Sequence, residues 1–428
     1  MNREIVPATE LKGTITPPPD KSISHRSVMF ASLHEGVSTI KNFSAAADPH
    51  STISCFRSLG VEIEEQGSTI TVHGVGRDGL EEPEEDLDCG NSGTTMRLLS
   101  GIVAGAGISC TLVGDESLSA RTMRRIIDPL EKMGAEFEAR QGDYAPLKIT
   151  RPGSLIPLRF DLPIPSAQLK SCVLLAGLFG NVPTRVIETV QSRDHTERLL
   201  KLGIQSDGNT RIISSSREDD ILEQSYNIPG DFSAAAFWLA AGAIHGNAEI
   251  HLPDTGMNPT RTAFLDILQE MGANLTIGEQ RQEGAEPVAD ITISTSKLKP
   301  IDITPERVPN CIDELPILAV TMLFADGVSR ISGAEELRHK ETDRLMAVAE
   351  MLEKAGAEFT EYKDGLEIHG NPDFIPEPAT YNSYHDHRIA MSAGVLSLLA
   401  DGTSSVKGAV CTAISYPSFW DDLQLLTN

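Results

Sequence analysis

Six cations give this sequence its first chemical signal: Lys21, Arg26, Arg121, Lys340, Arg344 and Arg388. Each lies at or near the expected start of a helix. In Pro17-Pro-Pro-Asp-Lys-Ser-Ile-Ser-His-Arg26 the prolines keep a helix from starting early. Asp20 and Ser22, both helix-capping residue types, then precede the apolar run Val28-Met-Phe-Ala31. A helix N-terminus disfavours a cation by about 0.3 to 1 kcal/mol, because the aligned peptide dipoles leave positive charge there. A bound anion reverses that penalty, since the first backbone NH groups of a helix are open to phosphate or carboxylate. Arg adds a fork that pairs bidentately with such groups, and Lys adds a point charge. Any one of the six, taken alone, reads first as a solvated side chain. Together they predict a cradle for a ligand with at least two anionic groups, each charged hydrogen bond contributing about 1.5 to 3 kcal/mol.

Asp313, Glu314 and Glu341 are the acids nearest these cations. Asp313 reads either as a base or as the N-cap of the apolar helix after it. Glu341, three residues before Arg344, reads either as a proton carrier or as half of an exposed helix ion pair. A carboxylate among cations stays ionised and suits a base, whereas a proton donor needs its pKa raised. His387, between Asp386 and Arg388, suits proton transfer or a structural hydrogen bond, and His25 reads as structural. Gly90-Asn-Ser-Gly93-Thr-Thr has the look of a backbone that lets a ligand approach closely. It lacks the lysine and spacing of a Walker loop, and no G-x-G-x-x-G fingerprint occurs, so no nucleotide cofactor is expected. No His/Cys/Asp/Glu set shows metal-ligand spacing and no serine has a nucleophile-elbow context, so no metal is expected either.

The elements that must position these residues repeat. An Ala/Leu-rich helical stretch, a glycine read as a left-handed cap, and a short alternating strand recur six times, at Gly36, Gly107, Gly180, Gly246, Gly327 and Gly402. A second series, at Gly60, Gly134, Gly203, Gly272 and Gly356, ends amphipathic helices and opens strands. Successive glycines in either series lie 66 to 84 residues apart. The chain therefore reads as six copies of one unit with two helices and several strands, three to a domain. Equivalent positions face the same way in a repeat protein, so helix N-termini would be presented together. Repeat counting puts the crossings near Asp20 and Pro229, giving domains of 1–19 plus 229–428 and of 20–228.

A chain of 428 residues exceeds what one core usually supports, which agrees with two domains. Its net charge of −25 argues against nucleic acid or an anionic membrane as partner. Basic residues must then be gathered locally if the protein is to bind anions. The six cysteines are scattered without C-x-x-C spacing and read as free thiols in a reducing compartment. The opening residues lack the apolar core of a signal peptide, and no run approaches the roughly 18 apolar residues of a membrane span. A cytoplasmic monomer is expected.

The motifs Asp20-Lys-Ser-Ile-Ser-His-Arg26, Gly90-Asn-Ser-Gly-Thr-Thr-Met-Arg97, Gly114-Asp-Glu-Ser-Leu118, Ser166-Ala-Gln-Leu-Lys170, Arg193-Asp-His-Thr-Glu197, Lys340-Glu-Thr-Asp-Arg344 and Asp386-His-Arg388 resemble the 5-enolpyruvylshikimate-3-phosphate synthase family. The likeness runs from Pro17 to Tyr416-Pro-Ser-Phe419, and several motifs look more like the family's second bacterial class. It implies an α/β fold of two similar domains, each of three βαβαββ units in an inside-out barrel, with the active site in the interdomain cleft. It also implies enolpyruvyl transfer from phosphoenolpyruvate to shikimate 3-phosphate without metal or cofactor, in a step that glyphosate targets. By motif position, Lys21, Ser22, Arg26, Ser166, Ala167, Gln168, Ser192, Asp313 and Lys340 would hold shikimate 3-phosphate. Lys21, Gly93, Arg121, Gln168, Arg344 and Arg388 would hold phosphoenolpyruvate. Asp313 would be the base and Glu341 the acid, with Lys21 sharing the acid's role.

Three positions depart from the family pattern: Thr122 replaces a proline after Arg121, Ala167 a second serine, and Ile414 a late lysine. Thr122 leaves the loop of Arg121 less rigid, Ala167 offers only its backbone, and Ile414 removes a phosphate contact. Two rivals remain, the UDP-N-acetylglucosamine enolpyruvyl transferase and a non-catalytic anion-binding protein on the same fold. The first has a reactive cysteine loop with no counterpart here.

Overall fold

The computed structural model describes residues 2–151 and 153–427. The chain forms two compact units, one of Met1–Pro18, Pro229–Gln282 and Pro287–Asn428, the other of Pro19–Ile228 and Glu283–Glu286. Compared with crossings drawn at 19/20 and 228/229, Pro19 and the tetrapeptide Glu283–Glu286 group with the second unit.

Within the second unit the order strand, helix, strand, helix, strand, strand is explicit. Leu87–Asp88 leads into helix Gly93–Ala106 and strand Cys110–Val113. Helix Arg124–Lys132 and the hairpin Glu136–Arg140 and Tyr144–Thr150 follow. The first strand pairs parallel with the second, which pairs antiparallel with the last. Arg159–Asp161, Thr184–Glu188, Ile204–Asp207 and Thr210–Ser215 repeat that sheet. The remaining sheet has three strands, Glu35–Ile40, Thr69–Val75 and Glu62–Gln66, with a parallel bridge from Lys41 to Asn227 beside it.

The first unit builds the same motif three times. Leu11–Thr14 pairs parallel with Ala248–Gly256, Asp302–Ile303 with Gly327–Ile331, and Thr380–Asn382 with Ser404–Lys407. The N-terminal strand Arg3–Ile5 closes the last of these sheets. Two of its helices, Phe232–Ile244 and Leu315–Met322, are buried at every position. That accounts for the lack of polar stripes in their sequences, because a helix apolar all round belongs in a core. Trp238 stacks on Phe419 and donates to the Tyr416 hydroxyl at 2.9 Å, so the closing Tyr416-Pro-Ser-Phe419 is core-forming.

The glycine caps need correction. In the first series only Gly107 (φ 79°) caps a helix in the left-handed region, while His34 and His245 cap theirs in extended conformation. In the second series Gly60, Gly134, Gly272 and Gly356 take φ of 77° to 96°, and Gly203 does not. There the left-handed turn has moved to Lys201 (φ 52°). All six cysteines are free and buried. Among the described residues no helix is long and apolar enough to cross a membrane.

Candidate active site

In the second unit the helix starts behave as their sequences suggest. Asp20 caps helix Lys21–Leu33 by accepting from the Ile23 NH at 2.8 Å. Ser92 and Ser166 cap helices Gly93–Ala106 and Ala167–Gly177 in the same way. These three N-termini carry the predicted anion ligands. Half-buried Lys21 donates to Asp48 Oδ2 at 2.9 Å, a partner the sequence reading missed. Arg26 is buried and donates to Thr196 Oγ1 at 2.8 Å, the Ser22 carbonyl at 3.0 Å and Ser171 Oγ at 3.1 Å. Burial lowers its pKa to about 10 against the opposing pull of Glu197 and Asp20.

Gly93, Gln168 and Arg121 meet around Arg97, which the sequence reading quoted but gave no role. Arg97 donates to Gln168 Oε1 at 2.9 Å, and Gln168 Nε2 to Thr94 Oγ1 at 3.0 Å. A Cβ at Gly93 would fall 2.6 Å from Arg97 NH1 and 3.6 Å from Arg121 NH1, so a side chain there would push the Arg97 guanidinium aside. Arg121 donates to Asn91 Oδ1 at 2.9 Å and Ser117 Oγ at 3.2 Å. Exposed Thr122 follows it, and its hydroxyl accepts from the Arg124 NH at 3.3 Å. Ser192 is buried, and both its NH and its hydroxyl donate to Glu188 Oε2, at 3.1 and 3.0 Å. Ala167 lies half-buried in the first turn of its helix.

In the first unit the predicted residues converge on Arg344, whose side chain is only 1% exposed. Its Nε donates to Asp386 Oδ2 at 2.7 Å, NH2 to Glu341 Oε2 at 2.6 Å and NH1 to Asp313 Oδ1 at 3.3 Å. Burial pulls the Arg344 pKa down, but Asp386, Glu341 and Asp313 outweigh it and the net shift is upward. Asp386 also caps helix His387–Ser397, accepting from the NH groups of Arg388 and Ile389. Arg388 NH1 donates to the Asp313 carbonyl at 3.0 Å and lies 3.7 Å from buried Glu314. Glu314 accepts from Ser233 Oγ, which in turn accepts from Arg261 NH2 at 2.5 Å. That places Arg261, in Asn258-Pro-Thr-Arg261, two hydrogen bonds behind Glu314 through Ser233.

These contacts set aside the N-cap reading of Asp313 and the exposed-pair reading of Glu341. Asp313 is not an N-cap: Glu314 stands at that position of helix Leu315–Met322 and makes no side-chain cap bond. Glu341 lies before helix Arg344–Lys354, and its partner is a buried guanidinium rather than an exposed neighbour. Lys340 does not start a helix but follows the 3-10 turn Glu335–His339. It is half-buried, and burial lowers its pKa against the opposing charge of Asp313. His25 is buried, with Nδ1 on Thr52 Oγ1 at 2.7 Å, as a structural histidine would be. His387 is also buried. Ile414 packs partly buried against the first unit's core.

One cluster escaped the linear reading. Glu62, Glu64 and His73 bring three potential metal-ligand atoms within 4.8 Å of one another on a hairpin, through cross-strand pairing.

The model for EPSP synthase (3-phosphoshikimate 1-carboxyvinyltransferase) matches residues 5–423. A 3-phosphoshikimate 1-carboxyvinyltransferase from Salinibacter ruber is 49% identical over 427 residues, covering 99% of each chain. One from Bacillus cytotoxicus is 44% identical over 418 residues, 97% of this chain and 98% of its own. Among solved structures, an EPSP synthase from Acinetobacter baumannii superposes with a TM-score of 0.88 at 38% identity, covering 100% of this chain and 98% of its own. The enolpyruvyl transferase NikO from Streptomyces tendae shares the fold at 18% identity, with a TM-score of 0.76 over 99% of this chain and 96% of its own. The chain belongs to the EPSP synthase family.

Proposed function

We propose that the chain transfers the enolpyruvyl group of phosphoenolpyruvate to the 5-hydroxyl of shikimate 3-phosphate and releases phosphate. Shikimate 3-phosphate is assigned to Lys21, Ser22, Arg26, Ser166, Ala167, Gln168, Ser192, Asp313 and Lys340. Phosphoenolpyruvate is assigned to Lys21, Gly93, Arg121, Gln168, Arg344 and Arg388. Asp313 removes the 5-hydroxyl proton as the oxygen attacks C2 of phosphoenolpyruvate, and Glu341 protonates C3. The tetrahedral adduct then loses phosphate and a methyl proton, leaving the enolpyruvyl ether. The observation that carries this reading most strongly is that one buried guanidinium holds both carboxylates, Asp313 at 3.3 Å and Glu341 at 2.6 Å. A monomer in the cytoplasm completes the reading: all the assigned ligands come from one chain, and the cysteines are free.

Phosphate release from phosphoenolpyruvate, measured with and without shikimate 3-phosphate in the presence of a chelator, tests it. Release that requires shikimate 3-phosphate and survives chelation is expected. Binding of both compounds without release would favour the non-catalytic anion-binding reading.

Lys340 makes the binding of shikimate 3-phosphate sensitive to pH. Burial disfavours its charged form, so its pKa lies below the ordinary lysine value and its charge is lost earlier as pH rises. The KM for shikimate 3-phosphate is therefore expected to climb on the alkaline side, beginning below the usual lysine range. Lys340→Arg, whose guanidinium stays charged, should flatten that limb. An identical limb in the variant would show that another group titrates.

A further inference from the structure

Three segments proposed to hold shikimate 3-phosphate are tied together by a buried charge cluster to which no role has yet been given. Lys170, on the helix that begins after Ser166, is fully buried. Its Nζ lies 3.0 Å from Glu188 Oε2 and 2.6 Å from Glu197 Oε1, and it donates to the Ser192 carbonyl at 3.3 Å. Glu188, 1% exposed at the end of strand Thr184–Glu188, also accepts from Arg211 NH1 at 2.9 Å through Oε1. Its Oε2 accepts both the NH and the hydroxyl of Ser192. The backbone NH, hydroxyl and carbonyl of Ser192 are thus all held, and by groups that cannot themselves turn to water. Next to Lys170, Ser171 shares a hydrogen bond with Thr196 at 2.7 Å, and Arg26 donates to both.

A buried ion cluster is weak evidence for stability, because desolvation offsets most of the attraction within it. Its geometry is the more informative feature. Among the described residues, Ser192 is the one assigned to a ligand that the Glu188 carboxylate contacts, and it holds that residue twice. We propose that Glu188, its carboxylate fixed by Lys170 and Arg211, is a positioning residue that takes the Ser192 hydroxyl proton and so turns the Ser192 oxygen lone pairs to accept from a hydroxyl of shikimate 3-phosphate. This rests on the reading of Ser192 as a ligand of that substrate.

The test separates charge from reach. Glu188→Asp keeps the buried charge but withdraws the carboxylate from Ser192 by one carbon–carbon bond, about 1.5 Å. Glu188→Gln keeps the reach and loses the charge. In Glu188→Asp the KM for shikimate 3-phosphate is expected to rise up to about tenfold, on the scale of one hydrogen bond. Both kcat and the KM for phosphoenolpyruvate should stay within about twofold. Ser192→Ala should raise the same KM, and the double variant should fall short of the product of the two effects, as coupled neighbours do. If Glu188→Asp proves unable to fold, Glu188→Gln is read in the same cycle. A raised KM in Ser192→Ala beside an unchanged one in Glu188→Asp, or fully multiplicative effects, would overturn the positioning role. An unchanged KM in Ser192→Ala would instead remove the ligand reading of Ser192, and the proposal with it.

Discussion

Replacing Arg344 with methionine is expected to abolish measurable turnover and to lower folding stability by about 3 kcal/mol or more, the cost of breaking a buried ion cluster from one side. Methionine fills most of the volume but leaves Asp313, Glu341 and Asp386 without their shared cation. Their exposures decide how the loss is divided. The side chains of Asp313 and Glu341 are 16% and 27% exposed and can recover some hydration, whereas Asp386 is 0% exposed and cannot. Asp386 also caps helix His387–Ser397, so the strain falls on the segment that carries Arg388. Arg344→Lys should lie between, because an ammonium restores the charge but cannot reach three carboxylates as a fork does. The pH dependence has a definite sign. A base whose folded pKa is raised contributes stability in full below its unfolded pKa, and for arginine that covers the whole ordinary range. Titration of Arg344 itself therefore leaves the stability it contributes constant from acid to mildly alkaline pH. Denaturant unfolding of the three proteins checks this, and a methionine variant within about 1 kcal/mol of the parent would contradict the buried-cluster account.

The six-fold repeat was legible because a short strand, a cap and an amphipathic helix leave a local pattern that recurs. Asp20 was readable as a cap for the same reason, since a cap acts within three residues of itself, and Ser92, Ser166 and Asp386 are cap-forming types at their helix starts. Partners brought together by tertiary folding were not legible. Asp48 is 27 residues from Lys21, and Arg97 is 71 from Gln168, so spacing offers no sign of either contact. The expectation of cations set against helix polarity needs revision on these grounds. Lys21 already has Asp48, Arg344 has three acids, and Arg388 has the Asp313 carbonyl with Glu314 nearby. A sequence shows where charges are placed along the chain, but the acid that compensates each one comes from another element. Lys201 makes the same point for the backbone, since nothing in its side chain marks it as the residue to take the left-handed turn. Glu62, Glu64 and His73 are a further case, joined only by strand register.

Asp313→Ala is expected to lower kcat by about 10²- to 10⁴-fold, the range set by loss of a positioned general base. Substrate binding should change in the opposite direction from a simple structural defect. Asp313 accepts from Arg344 at 3.3 Å, and Arg388 Nε lies 3.8 Å away. Its removal leaves both guanidinium groups less neutralised and thus more attractive to an anion. Phosphoenolpyruvate, assigned to those two arginines, should bind as well as before or more tightly. Shikimate 3-phosphate loses one acceptor but keeps its cationic ligands, so its affinity should hold within several-fold. A fall in kcat without a matching rise in either KM marks an interaction made in the transition state and absent from the ground state. Misfolding or a displaced loop would raise KM and lower kcat together. Asp313→Asn refines the comparison: it preserves the shape and one acceptor oxygen yet cannot take a proton, so it should be nearly as slow as the alanine variant. If asparagine restores most of the turnover, the role of Asp313 is orientation through Arg344 and Arg388, and the base must be sought elsewhere. Glu341, held 2.6 Å from the same Arg344 guanidinium, is then the first alternative.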